Sequence, residues 1–242
     1  MGLDKTALVT GGGTGVGRAV ALALAREGCR VAVSGRREEK LLETVALRRG
    51  EPRILTCPAD VADRSSVERL FDWAARELGP IDILVQCAGI NVRRRALAEL
   101  DPEDWERVLA VNASGAFYCM RAVLPQMRER RDGLIVNVSS VAGKRASVLG
   151  GAAYSASKFA LTALGTCAGL EEGKNGIRVT NIYPGEVNTP ILDARPVPVS
   201  AEHRASILQP EDVAAAVVML AHLDRRAHVP ELVIKPTIQP YA

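Results

Sequence analysis

Short apolar runs alternate with amphipathic stretches along the whole chain. Seven of the runs read as β-strands, over residues 6–10, 30–34, 53–57, 81–85, 134–138, 177–181 and 231–234. Each is short, rich in Val, Ile and Leu, and bounded by polar residues, Gly or Pro. Between them, helical periodicity predicts helices over 18–27, 38–49, 65–78, 152–172 and 210–220, and a long helix starting near Pro102. Gly28 and the Gly79-Pro80 pair supply stop signals. Asp101 supplies an N-cap, with Pro102 at the first helical position. Near-continuous apolar strands separated by helices predict a parallel sheet covered on both faces, which is a doubly wound α/β fold with right-handed crossovers. With no linker, repeat or low-complexity stretch, the expectation is one domain over 1–242.

Composition narrows the partners more than the fold. The 31 basic and 28 acidic residues leave a net charge of +3. They are dispersed, as on a solvated surface and unlike a nucleic-acid footprint. The densest basic run, Arg93, Arg94 and Arg95, falls in a predicted loop and is read as solvated. Five isolated cysteines and three unclustered histidines predict neither a disulfide framework nor a metal site, and a reducing cytoplasm. No apolar run is read as reaching transmembrane length and no signal peptide is recognised, so no membrane role is expected.

The first strand runs into T-G-G-G-T-G-V-G over residues 10–17 and then a helix. Glycines let a backbone approach a ligand closely. Exposed N–H groups and the helix dipole at such a turn favour a pyrophosphate. The alternative is a tight turn without a ligand, but the strand-loop-helix context at the start of a doubly wound pattern favours a dinucleotide. The second strand ends S-G-R-R over 34–37. An acidic residue there would bind the adenosine ribose and repel a 2′-phosphate. Arg36 and Arg37 stand there instead, and guanidinium binds phosphate well. NADP(H) is therefore the expected cofactor, with NAD(H) second.

Y-S-A-S-K over 154–158 carries the strongest chemical signal. Residues four apart share a helical face, and a cation beside a phenol lowers its pKa from about 10. Tyr154 beside Lys158 could then exchange a proton with a substrate oxygen. Alone, the pair would be read as an exposed helix contact. Its position after the fifth strand, L-I-V-N-V-S-S over 134–140, puts it near two hydroxyls able to bind a carbonyl oxygen.

The glycine spacing, the S-S pair and the Y-S-A-S-K segment together resemble the short-chain dehydrogenase/reductase family. The resemblance implies one Rossmann-type domain with strand order 3-2-1-4-5-6-7. It also implies a catalytic tetrad of Asn112, Ser140, Tyr154 and Lys158. Tyr154 lies 14 residues after Ser140, one more than usual, so Ser139 stands as the alternative serine. Asn112 lies in A-V-N-A-S-G-A over 110–116, which is poor helix sequence. The family distorts its helix there and links a water to the lysine. The cofactor set implied is Gly11, Thr14, Gly15, Val16 and Gly17 in the first loop and Arg36 and Arg37 after the second strand. Asp60 and Val61 belong beside adenine. Ala88 and Gly89 lie in Q-C-A-G, where both asparagines of the usual N-N-A-G are replaced. Pro184, Gly185, Val187 and Thr189 lie in Y-P-G-E-V-N-T-P, beside the nicotinamide, with Tyr154 and Lys158.

The function implied is hydride transfer between nicotinamide and a small carbonyl/alcohol pair. A short substrate lid is expected over 190–209, with His203 on its surface. The C-terminal V-P-E-L-V-I-K-P-T-I-Q looks more like relatives acting on 3-hydroxy acids, aldehydes or ketones than like those ending V-D-G-G. Competing readings are a silent dinucleotide sensor or scaffold, a 3-oxoacyl-thioester reductase, and non-redox isomerase or lyase chemistry. The family also implies a homotetramer or homodimer.

Overall fold

The apolar runs become strands because most of them place Val, Ile or Leu on both sheet faces. The computed structural model describes residues 2–239; Met1 and residues 240–242 lie outside the described part. In chain order the strands are β1 (Thr6–Thr10), β2 (Arg30–Gly35), β3 (Leu55–Pro58), β4 (Ile83–Gln86), β5 (Gly133–Val138), β6 (Ile177–Pro184) and β7 (Glu231–Ile234). They form one parallel seven-stranded sheet in the order 3-2-1-4-5-6-7. The helices are α1 (Gly15–Arg26), α2 (Glu38–Ala46), α3 (Arg64–Glu77), α4 (Pro102–Leu109), α5 (Gly115–Arg130), α6 (Ala152–Glu172), α7 (Ala201–Ser206) and α8 (Pro210–His222).

Alternation along the strands divides the core. Val9, Val33, Val85 and Val136 pack with α1 and α8 on one face. Leu8, Leu84 and Ile135 pack with α3 and α5 on the other. This is the Rossmann-type class that the sequence pattern predicts. Strand order reverses between β1 and β4, so a crevice opens beyond their carboxyl ends, where open α/β sheets bind ligands.

The differences from expectation are local. β6 runs three residues past the predicted end, because β7 pairs with Asn181 through Pro184. α1 begins inside the glycine loop, at Gly15. The helix distortion expected at residues 110–116 is present and does not end the helix. Ala110–Ser114 forms one π-helical turn that joins α4 to α5, a usual way to absorb an irregular insertion. The joined run Pro102–Arg130 is long and apolar enough, by length and composition, to cross a membrane, contrary to expectation. Its apolar side belongs to the core, where Cys119, Met120, Val123 and Met127 are buried against the sheet.

Candidate active site

The glycine loop is shaped by contacts that leave no space for side chains. Gly11 has φ +67°, and a Cβ there would come within 2.7 Å of the Ala88 backbone nitrogen. A Cβ on Gly17 would collide with the Gly11 carbonyl oxygen. The loop therefore lies flat on the end of β4 and opens its backbone toward the cleft. Two side chains absent from the sequence expectations fasten it. Thr44 Oγ1 donates to the Gly12 carbonyl at 2.9 Å, and Arg18 Nη2 donates to the Gly13 carbonyl at 2.5 Å. Arg18 reaches back from the first turns of α1, five residues after Gly13, whereas Thr44 reaches the loop from α2, 32 residues after Gly12.

A continuous cleft of about 580 Å³ begins at this loop. At the end of β2, exposed Arg36 and Arg37 line it together with Lys40. Glu38 and Glu39 fall in the first turn of α2 and are not among its lining residues. Asp60 and Val61 form the opposite wall, where Asp60 Oδ1 accepts from the Ala62 N–H at 3.0 Å. Ala88 and Gly89 line the floor, and Pro184, Gly185, Val187 and Thr189 line the far side.

Ser140, Tyr154 and Lys158 line the same cleft. Ser140 caps the turn after β5, with its Oγ accepting from the Ala142 N–H at 3.1 Å. That leaves the hydroxyl hydrogen for the Tyr154 phenol or a ligand oxygen. Ser139 is buried, and its Oγ lies 3.3 Å from the Lys158 carbonyl and 3.4 Å from Thr162. Lys158 Nζ donates to the Val138 carbonyl at 2.9 Å and lies 5.7 Å from the centre of the Tyr154 ring. Burial pulls the Lys158 ammonium down from 10.5 to about 8.

The expected acidification of Tyr154 by Lys158 is not what this geometry produces. Burial pushes the phenol above its ordinary value, and a hydrogen bond from Ser140 and the Arg95 charge partly oppose that rise. Arg95 is thus a second correction: Arg93 and Arg94 are exposed, but Arg95 is buried behind the cleft.

Asn112 is the one expected tetrad residue outside the cleft, and it borders a small neighbouring void instead. Its amide is 1% exposed and fully engaged. Oδ1 accepts from the Ile90 N–H at 2.8 Å, and Nδ2 donates to the Ile90 carbonyl and to Ser157 Oγ, both at 2.9 Å. Asn112 and Lys158 meet at Gly89, where a Cβ would lie 3.6 Å from both Asn112 Oδ1 and Lys158 Nζ.

Residues 190–209 frame the open side. A 3-10 turn at Pro190–Ala194 contributes Ile191, Asp193 and Ala194 to the cleft. Polar contacts hold the segment: ion pairs of Glu186 with Arg195 at 3.3 Å and of Arg204 with Asp193 at 2.5 Å, and a hydrogen bond between Glu186 and His203 at 2.6 Å. Among the described residues, no cluster of potential metal ligands occurs.

A parallel sheet with a closely packed glycine loop at its switch point defines a Rossmann-type α/β protein. A sequence profile for short chain dehydrogenase matches residues 5–197. The chain belongs to the short-chain dehydrogenase/reductase family of oxidoreductases. It is 38% identical to glycine betaine reductase of Emericella nidulans over 98% of its own length, but spans only 19% of that much longer protein. An uncharacterized oxidoreductase of Staphylococcus aureus is 32% identical, with 96% of this chain and 97% of the relative covered. Among solved structures, the closed form of a serine dehydrogenase complexed with NADP+ superposes with a TM-score of 0.89 at 30% identity. That match covers 98% of this chain and 97% of the other.

Proposed function

We propose that the protein is an NADP(H)-dependent oxidoreductase that interconverts a small carbonyl compound and its alcohol, with Tyr154 as general acid and base. The observation that carries this reading is the convergence of Ser140, Tyr154 and Lys158 on the cleft that begins at the glycine loop. The loop fits a pyrophosphate, because side chains are excluded where a ligand's phosphates would approach the backbone and the α1 N-terminus. The preference for NADP(H) rests on Arg36 and Arg37 just after β2 and Lys40 in the first turn of α2, with no carboxylate beside them among the lining residues.

When bound, NADPH supplies the hydride. In the reducing direction Ser140 donates a hydrogen bond to the carbonyl oxygen and polarises it. Tyr154 delivers the phenolic proton to that oxygen as the carbonyl carbon is reduced, which leaves the alcohol. Lys158 stands next in line to return a proton, since a group that titrates at about 8 is near balance at working pH. Asn112 fixes Ile90 and Ser157 around Gly89, which sets the position of α6 relative to the floor of the cleft. The segment over 190–209 acts as the substrate lid. We also propose assembly through the outer faces of α4, α5 and α6, giving a homodimer or homotetramer.

The test is a screen of NADPH against NADH with aldehydes, ketones and 3-hydroxy acids. Turnover is expected with NADPH, and Tyr154→Phe should lower kcat by roughly 10²- to 10⁴-fold while NADPH still binds. Undiminished turnover in that variant would remove Tyr154 from the chemistry.

A further inference from the structure

Arg95 is a buried cation with no acidic partner among the described residues. Its side chain is 7% exposed, and its guanidinium donates only to backbone carbonyls: Nε to Val92 at 3.0 Å, Nη1 to Leu149 at 2.8 Å and Nη2 to Ala194 at 2.5 Å. Charge buried against dipoles alone is costly. The three carbonyls come from three separate segments: the loop after β4, the loop before α6, and the 3-10 turn that lines the cleft. The Arg95 carbonyl also accepts from the Ala152 N–H, the first residue of α6, at 3.4 Å. Gly151, with φ +78°, has no space for a Cβ, which would lie 2.6 Å from Arg95 Cβ. Tyr154 follows one turn later.

We propose that Arg95 is a positioning residue for proton transfer: it ties the substrate-side turn at Ala194 to the start of α6 and holds a fixed positive charge behind Tyr154. This rests on the reading of Tyr154 as the general acid. Arg95 does not line the cleft, so it acts through Tyr154 and Ala194 rather than on substrate. The groups that face Tyr154 are Ser140 from the turn after β5, Lys158 from α6 and Arg95 from the loop after β4. Arg195 adjoins Arg95 but is paired with Glu186. Of these groups, Ser140 and Arg95 draw the phenol downward against the opposing effect of burial.

The experiment compares wild type with Arg95→Met, Arg95→Lys and Tyr154→Phe by ultraviolet titration of tyrosinate and by kcat and KM. Four tyrosines are present, and the Tyr154→Phe difference spectrum assigns the relevant one. In Arg95→Met the Tyr154 titration should move up, and kcat should fall about 10- to 100-fold from misplacement. Arg95→Lys keeps the charge and loses the three-way clamp, so its titration should stay near wild type while kcat still falls. A folded Arg95→Met protein with wild-type titration and kcat overturns the proposal, and so does one that merely melts earlier. If Arg95→Met does not fold, an unchanged kcat in Arg95→Lys overturns it. The titration reads the Arg95 effect without turnover, so failure of the proposed catalytic role of Tyr154 is seen separately, in the Tyr154→Phe kinetics.

Discussion

Lys158 is 4% exposed, and its ammonium is held by the Val138 carbonyl. Burial leaves its folded pKa at about 8, against 10.5 for the free group. Between those values the unfolded chain binds a proton that the folded chain does not, so stability rises with pH across this window. Below about pH 8 the folded protein bears the full desolvation of the ammonium, up to about 3 kcal/mol for a shift of this size. Urea unfolding of the ligand-free protein at a series of pH values should show that rise, and Lys158→Met should flatten it. An identical slope in the variant would mean that Lys158 is better solvated than its surroundings imply. The Tyr154 and Lys158 pair was legible in the sequence because a helix brings positions four apart together whatever surrounds them. Arg95 was not legible, because its three acceptors are main-chain carbonyls, two of them in distant segments.

At the scale of elements, α6 is seated on a row of buried amides that crosses three strands. Gln86 Nε2 donates to Asn137 Oδ1 at 3.0 Å, Asn137 Nδ2 to Asn181 Oδ1 at 2.9 Å, and Asn181 Nδ2 to the Thr162 carbonyl of α6 at 3.1 Å. Gln86 thus joins a sheet-spanning network at the first position of the departed N-N-A-G motif. Gly165 lets the helix lie directly on this row. A Cβ there would collide with Asn181 Oδ1 and lie 2.5 Å from Asn137 Nδ2. Gly165→Ala should therefore lower unfolding free energy by about 2 kcal/mol. Gly169→Ala one turn later, with its nearest neighbour Val179 Cβ at 3.7 Å, should be neutral or gain up to about 1 kcal/mol from helix propensity. Equal effects in denaturant melts would refute the seating of α6 on the amide row. Helix existence was readable from periodicity. The π-turn was visible only as weak helical sequence, because the way a helix absorbs such residues depends on what packs against it.

Across the whole molecule, several large apolar side chains remain uncovered on neighbouring helices. Trp105 of α4 is 37% exposed, Phe117 of α5 44%, and Phe159 and Leu170 of α6 43% and 81%. The proposed assembly through these helices would cover them. Light scattering at micromolar concentration is expected to give a dimer or tetramer, and Phe159→Glu to shift it toward monomer. A monomeric wild type would refute the association. The same helices carry Asn112 and Tyr154, so assembly would bear directly on the order of the site.

Strand and helix order, the glycine loop and the Tyr154 and Lys158 pair were determined by the sequence itself, since each depends on periodicity or spacing within a short stretch. The parallel sheet followed from the same pattern, because strands apolar on both faces need helices on both sides. The tertiary structure alone decided the rest. It left both Ser139 and Ser140 on the cleft lining but set the Ser139 hydroxyl against Lys158 and Thr162, spent the Asn112 amide on Ile90 and Ser157, and buried Arg95 beneath carbonyls. It also determined that burial, rather than the neighbouring ammonium, dominates the acidity of Tyr154. Those outcomes depend on desolvation and on partners far apart in the chain, and no local pattern encodes either.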